Sequence, residues 1–223
     1  MLRCVLLARG PDWVAVDIAT GALLRSRASG WPVVPADSSL AAAESGNAHD
    51  AGTLAGPELG MVLILLAEDD EPADPARPEA VMVKDAPELV GTPRRRAVRH
   101  LLKELLPTDP RRPLLGSLGP SISYEDLDGS RPSVAVVAPD RTPLFGRETS
   151  GTWCQFTLGG RKHRLAATDA RLVALDGPSR GGPLPHESVA KAIGGVPRYL
   201  VVALGVPHRG QAPKLVLGVL PRP

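Results

Sequence analysis

Lys162 and Arg164 flank a histidine in the stretch WCQFTLGGRKHRLAATD, residues 153 to 169. On a β-strand that spacing puts both cations on one side. The Gly159-Gly160 pair accepts the positive φ values of a type I′ turn, which predicts a two-residue hairpin. Counting outward from the turn, Leu158 faces Arg161, Phe156 faces His163 and Cys154 faces Leu165 on one side of the ribbon. On the other side Thr157 faces Lys162, Gln155 faces Arg164 and Trp153 faces Ala166. The first side is mostly core. The second offers two cations with Thr157 and Gln155 between them and one indole at the edge. This is the chemistry of single-strand binding, in which phosphates meet a basic groove and each base stacked on a ring contributes about 1 to 3 kcal/mol. The competing arrangement packs Trp153 under a neighbouring unit and leaves Lys162 and Arg164 as ordinary solvated strand positions.

A second cationic cluster is TPRRR at 92 to 96. Thr92 is a good N-cap, Pro93 suits the first helical position, and Val98, Leu101, Leu102, Leu105 and Leu106 repeat at helical spacing until Pro107 ends the run. Arg94, Arg95 and Arg96 then crowd the positive end of the helix dipole, each costing about 0.3 to 1 kcal/mol unless an anion is near. Either a bound phosphate or the chain's own acidic EDDE at 68 to 71 would compensate. Arg96, Arg99 and Lys103 share one flank of this helix.

Catalytic patterns are missing. The histidines at 49, 100, 163, 186 and 208 are scattered, and none stands in a metal-ligand spacing. Neither GSLGPS nor GPSRGG forms a nucleophile elbow, and LGGRKH has the wrong spacing for a phosphate-binding loop. Asp169, Asp176 and Glu187 do not pair as an acid and base from sequence alone. No metal, cofactor or enzymatic activity is expected. Cys4 and Cys154 each sit in an apolar run with no C-x-x-C spacing and read as small reduced core residues.

The elements that must carry these groups are short. A hydrophobic fraction of 43% fits a globular protein, while aromatic residues are 3% and there are 24 prolines and 23 glycines, which favours strands and turns over long helices. Residues 1 to 130 carry a net charge of −6 and residues 131 to 223 a net of +8, so the second half can meet phosphate, an acidic partner or the first half itself. The start MLRCVLLARG has too short an apolar core for a secretory signal, and MVLILLA at 61 to 67 falls well below the ~20 residues a bilayer needs. A cytoplasmic protein with no membrane partner is expected.

Along the chain, LRCVLLA, WVAVD and ALLRSR read as a meander, residues 36 to 56 as a mobile inserted loop, and Met61 to Leu66 and AVMVK at 80 to 84 as strands. After the helix, PLLGSLGPSISYEDLDGSRP reads as loop with short extended pieces. Val134 to Ala138 opens a second β region containing the hairpin, a turn or short helix after Thr168-Asp169, and a final hairpin from RYLVVALGVP and KLVLGVLP.

The hairpin CQFTLGGRKHRLAATDA, followed by YLVVALGVPHRGQAPKLVLGVL, resembles the closing portion of the dual OB-containing domain family of bacteria. In that family an F-T-x-x-G-x-x-x-x-L-x-x-T-D stretch precedes a pair shaped like L-x-x-S-L-G-x-P and K-L-x-A. Ala203 stands where the family has Ser, and Ala170 where it has Pro. GALLRSR is similar to a G-x-x-I-R-P element nearer the start. The resemblance implies an all-β protein with one prominent helix and two tandem OB-like barrels. The boundaries would be 1–90 for the first barrel, 91–130 for the connecting helix and loop, and 131–223 for the second barrel. It brings no catalytic residues and implies a place in bacterial conflict or defence systems. Two functions follow as expectations: a module for single-stranded DNA or RNA using Trp153, Gln155, Lys162 and Arg164, or a protein-interaction subunit of a larger bacterial assembly.

Overall fold

The computed structural model describes residues 2–9, 13–26, 62–65, 67–68, 78, 80–83, 88–91, 94–175 and 181–222. The expected loop at 36 to 56 and the acidic EDDE, apart from the backbone of Glu68, lie outside those residues. The described chain is mostly strands with few helices, as a sequence poor in rings and rich in turn residues requires.

Seven strands form the first sheet: β1 (Leu2–Arg9), β2 (Trp13–Asp17), β3 (Leu23–Ser26), β4 (Val62–Leu65), β5 (Ala67–Glu68), β6 (Ala80–Val83) and β7 (Glu88–Gly91). Their order is β5-β6-β3-β2-β1-β4-β7. The second sheet is built from β8 (Ser121–Ser123), β9 (Val134–Val137), β10 (Leu144–Glu148), β11 (Gly151–Leu158), β12 (Arg161–Ala167), β13 (Gly182–Pro183), β14 (Pro197–Leu204) and β15 (Gln211–Pro221). Its order is β13-β10-β11-β12-β15-β14-β9, with β8 paired to β15.

The two sheets repeat one pairing scheme. In the first, β1-β2-β3 is a meander, β1 also pairs antiparallel with β4, β5 pairs antiparallel with β6, and β6 lies parallel to β3. In the second, β10-β11-β12 is the meander, β10 pairs with β13, β14 with β15, and β15 lies parallel to β12. Six strands correspond one for one. In the first sheet β4 and β5 are separated by a single residue, yet β5 is at one edge of the strand order and β4 lies next to β7 at the other.

Three α-helices accompany the sheets among the described residues: α1 (Arg95–Glu104), α2 (Ala170–Val173) and α3 (His186–Ile193). The expected Thr92 cap gives way to Arg94, whose extended backbone (φ −62°, ψ 137°) is the N-cap and whose side chain makes no capping bond. With that start Arg94, Arg95 and Arg96 stand at the N-cap and the first two helical positions, all at the positive end of the helix dipole. The apolar stripe is as read: Leu102 is buried, with Val98, Leu101, Leu105 and Leu106 packed against the same core. Helix α3 was not foreseen. Its inward face is short, Val189 and Ile193 alone being fully buried, and Gly194 closes it in the left-handed region at φ 78°.

One core lies inside the second sheet, where Phe145, Cys154, Phe156, Leu165, Leu200, Val202 and Val216 from its strands meet Leu172 of α2 and Val189 and Ile193 of α3. The other core joins the sheets. Val5, Leu7, Val14 and Val16 of the first meet Val134, Val136, Val201, Ala203 and Leu217 of the second, with Leu102 of α1 among them. The sheets come close together at Gly218, where a Cβ would fall 2.7 Å from Ala8 Cβ and 2.9 Å from the Leu7 carbonyl oxygen. No helix among the described residues is long and apolar enough to cross a membrane.

Candidate functional site

The hairpin holds the predicted register at all six positions, from Trp153 opposite Ala166 to Leu158 opposite Arg161. Gly159 (φ 56°) and Gly160 (φ 80°) supply the two positive φ values. Asp140 fixes the turn by accepting from Gly159 N at 3.1 Å and Gly160 N at 2.9 Å. Glycine at 159 is required twice over, since a Cβ there would meet the Pro110 carbonyl oxygen at 2.4 Å. The tip of the ribbon is therefore pressed against Pro110 and Arg111.

The division into faces also holds. Cys154, Phe156, Leu158 and Leu165 are buried, whereas Gln155, Lys162, Arg164 and Ala166 are exposed and Trp153 and Thr157 half-buried. Ala166 lies beside Leu215, which packs on the core between the sheets. One face of the second sheet is thus divided: toward β15, β14 and β9 it is apolar and covered by the first sheet, and toward β12 and β11 it is polar and open.

On the open part, Trp153, Gln155, Lys162 and Arg164 come together as expected, with additions. Trp153 lies across Gly146 of the neighbouring strand, where a Cβ would fall 2.1 Å from indole Cζ2. The guanidinium of Arg164 stacks over the indole at 4.5 Å from the ring centroid and bonds to the Glu148 carboxylate. Glu148 was missed in the sequence. It alternates with Leu144 and Gly146 on β10, and only knowledge that β10 joins the hairpin places it on this face. The Arg164–Glu148 pair is about half-exposed on both sides, and such pairs contribute roughly 0 to 1 kcal/mol. Arg164 is therefore held in place without being strongly committed. The Trp153 indole N–H is buried without a hydrogen-bond partner.

His163 faces inward, its ring stacked on Phe156 with centroids 5.1 Å apart. Burial, then the charges of Lys214 and Arg161, hold its pKa below the usual value, which disfavours its charged form. Lys214 is 2% exposed, and its Nζ donates to the Ser117 carbonyl at 2.6 Å. Burial pulls its pKa down to about 8. Asp169 is structural: its carboxylate accepts from Arg171 N, Nε and Nη2 and from Val219 N. Cys4 and Cys154 are free buried thiols.

Arg94, Arg95 and Arg96 are exposed, and no ion pair among the described residues holds them. The first turn of α1 contains no acid. Among the described residues no cluster of His, Cys, Asp or Glu could hold a metal ion. Compared with family models, curated proteins and solved structures, the chain matches none.

Proposed function

We propose that the chain is a non-catalytic module that binds single-stranded nucleic acid on the outer face of the β11–β12 hairpin. The observation that carries this is the division of the second sheet's outer face, which leaves Gln155, Lys162 and Arg164 open beside Trp153. Lys162 and Arg164 would take phosphates. Arg164 already lies over the indole, so a base stacks on the open side of the guanidinium plane or displaces it from the ring. Displacement gives up an exposed ion pair of at most ~1 kcal/mol and a cation–π contact of about 0.5 to 1 kcal/mol and gains a stack of about 1 to 3 kcal/mol, so the two poses lie close in energy.

In this proposal the two units are tandem OB-like barrels, a class that is five-stranded and partly open. The repeated scheme of a meander, an added antiparallel strand and a hairpin whose last strand lies parallel to the third supports it. The resemblance to the dual OB-containing domain family extends the proposal to a bacterial conflict or defence system. The alternative is a protein-interaction subunit, favoured by Leu144, which is 45% exposed directly opposite Gln155.

The test is Lys162→Glu with Arg164→Glu, read by fluorescence anisotropy of labelled single-stranded DNA and RNA at low salt. The proposal expects binding by the natural chain that falls steeply with salt and is lost in the double variant. Equal, negligible binding by both would end it and leave the protein-partner alternative.

A further inference from the structure

We infer that the cationic flank of α1 is a second segment of the same polyanion track, so that one single strand runs from the helix past Arg111 and Arg112 to the hairpin face. The inference rests on the reading of the hairpin as a single-strand site.

Arg96, Arg99, His100 and Lys103 recur at helical spacing along α1, and with Arg94 they line an open groove of about 730 Å³. The one carboxylate within α1, Glu104, is engaged by His100 at 3.1 Å. A groove with that lining fits a chain of phosphates: the guanidinium groups of Arg94 and Arg96 and the ammonium group of Lys103 are spread over roughly 13 Å of helix, which matches a linear polyanion better than a single small anion.

Two features align this groove with the hairpin. Helix α1 packs through Leu102 on the core shared by Ala203 and Leu217, which is the outer side of the second sheet, the side that also bears Lys162 and Arg164. The chain leaving α1 then reaches the hairpin tip, where Pro110 and Arg111 abut Gly159. Seven residues separate Lys103 from Arg111, eight Cα steps with a reach of at most ~29 Å. Arg111 and Arg112 are exposed at that junction. Helix, junction and hairpin together suit a strand on the order of ten nucleotides, within the range for one or two such barrels.

The test compares the natural chain, the triple variant Arg94→Ala/Arg96→Ala/Lys103→Ala and the hairpin double variant. Anisotropy is read with a hexathymidylate and an oligothymidylate of about twenty nucleotides, across a salt series. All three substituted side chains are exposed, and circular dichroism confirms that the fold is kept. The triple variant should bind the long strand at least about tenfold more weakly, with a salt slope shallower by about 2, because three phosphate contacts at ~0.7 each are lost. The hexamer, seated on the hairpin, should change less than about twofold. Unchanged affinity and slope for the long strand in the triple variant, with the hairpin variant still defective, overturns the helix segment and leaves the hairpin reading intact. An equal loss at both lengths overturns the track as well. Loss in the triple variant with an unaffected hairpin double variant removes the hairpin reading, and with it the track.

Discussion

Replacing Lys214 by methionine should change how stability depends on pH. Lys214 is 2% exposed on β15, beside the segment held by Ser117, and burial lowers its pKa from 10.5 to about 8. That difference makes the protonated form about 3 kcal/mol less favourable in the fold than in the unfolded chain. Between pH 8 and 10.5 the unfolded chain binds a proton that the folded one has released. Stability therefore rises with pH across that window, by at most ~1.4 kcal/mol per pH unit. The buried thiols act in the opposite direction. Cys4 is pushed up from 9.0 to about 12, by burial first and the Asp17 carboxylate second, and Cys154 is pushed up by burial. Above pH 9 the unfolded chain loses both protons while the fold keeps them, and each thiol subtracts ~1.4 kcal/mol per unit. Among the described residues Lys214 is the group with a lowered pKa across pH 8 to 9, and the two thiols oppose it above that, so these three groups together favour the fold most near pH 9. Equilibrium urea unfolding of the natural chain and of Lys214→Met, at intervals from pH 7 to 10, isolates the lysine because the thiols cancel in the difference. The natural chain should gain about 2 kcal/mol on the variant over that range. A difference that stays constant, or that shrinks as pH rises, refutes the assignment of Lys214 as a buried, destabilised cation.

Three further outcomes are expected. Glu148→Gln removes the carboxylate that holds Arg164 and should tighten single-strand binding by roughly twofold to fivefold in the anisotropy assay, since an exposed pair contributes no more than ~1 kcal/mol. Gly159→Ala should cost about 2 to 4 kcal/mol in urea unfolding, because it combines a positive φ with a backbone clash against Pro110; Gly160→Ala, whose Cβ meets open space, should cost about 1 kcal/mol. Gly218→Val drives a side chain into Leu7 and Ala8 of β1 and should cost at least about 1 to 3 kcal/mol, with both sheets destabilised together in a thermal melt followed at several wavelengths.

The hairpin was legible in the sequence because every signal in it is local: two glycines set the turn, and the period of two then fixes each partner. The apolar stripe of α1 was legible for the same reason, although the cap signals of Thr92 and Pro93 placed its start too early. What escaped depends on contacts between distant segments. The strand LFGRE owes its existence to pairing with β11, so Glu148 could not be placed beside Arg164 by counting. The parallel pairing of β12 with β15 and the approach of Pro110 to Gly159 are likewise tertiary. Helix α3 carries a Pro before it, Glu187 in its first turn and Gly194 after it, but two turns with two buried residues give too little periodicity to stand out. Lys214 looks like a solvated strand lysine in sequence and is buried in the fold, where β8 pairs beside it and the Ser117 carbonyl accepts from its Nζ.

The most direct measurement is residue-resolved chemical-shift mapping while a single-stranded oligonucleotide is added at low salt. Shifts that grow with ligand at Trp153, Gln155, Lys162 and Arg164, and fade together as salt is raised, are the predicted result. Saturable binding whose shifts leave these four residues unmoved, or no shifts at all at millimolar ligand, would contradict the placing of the binding surface on this hairpin.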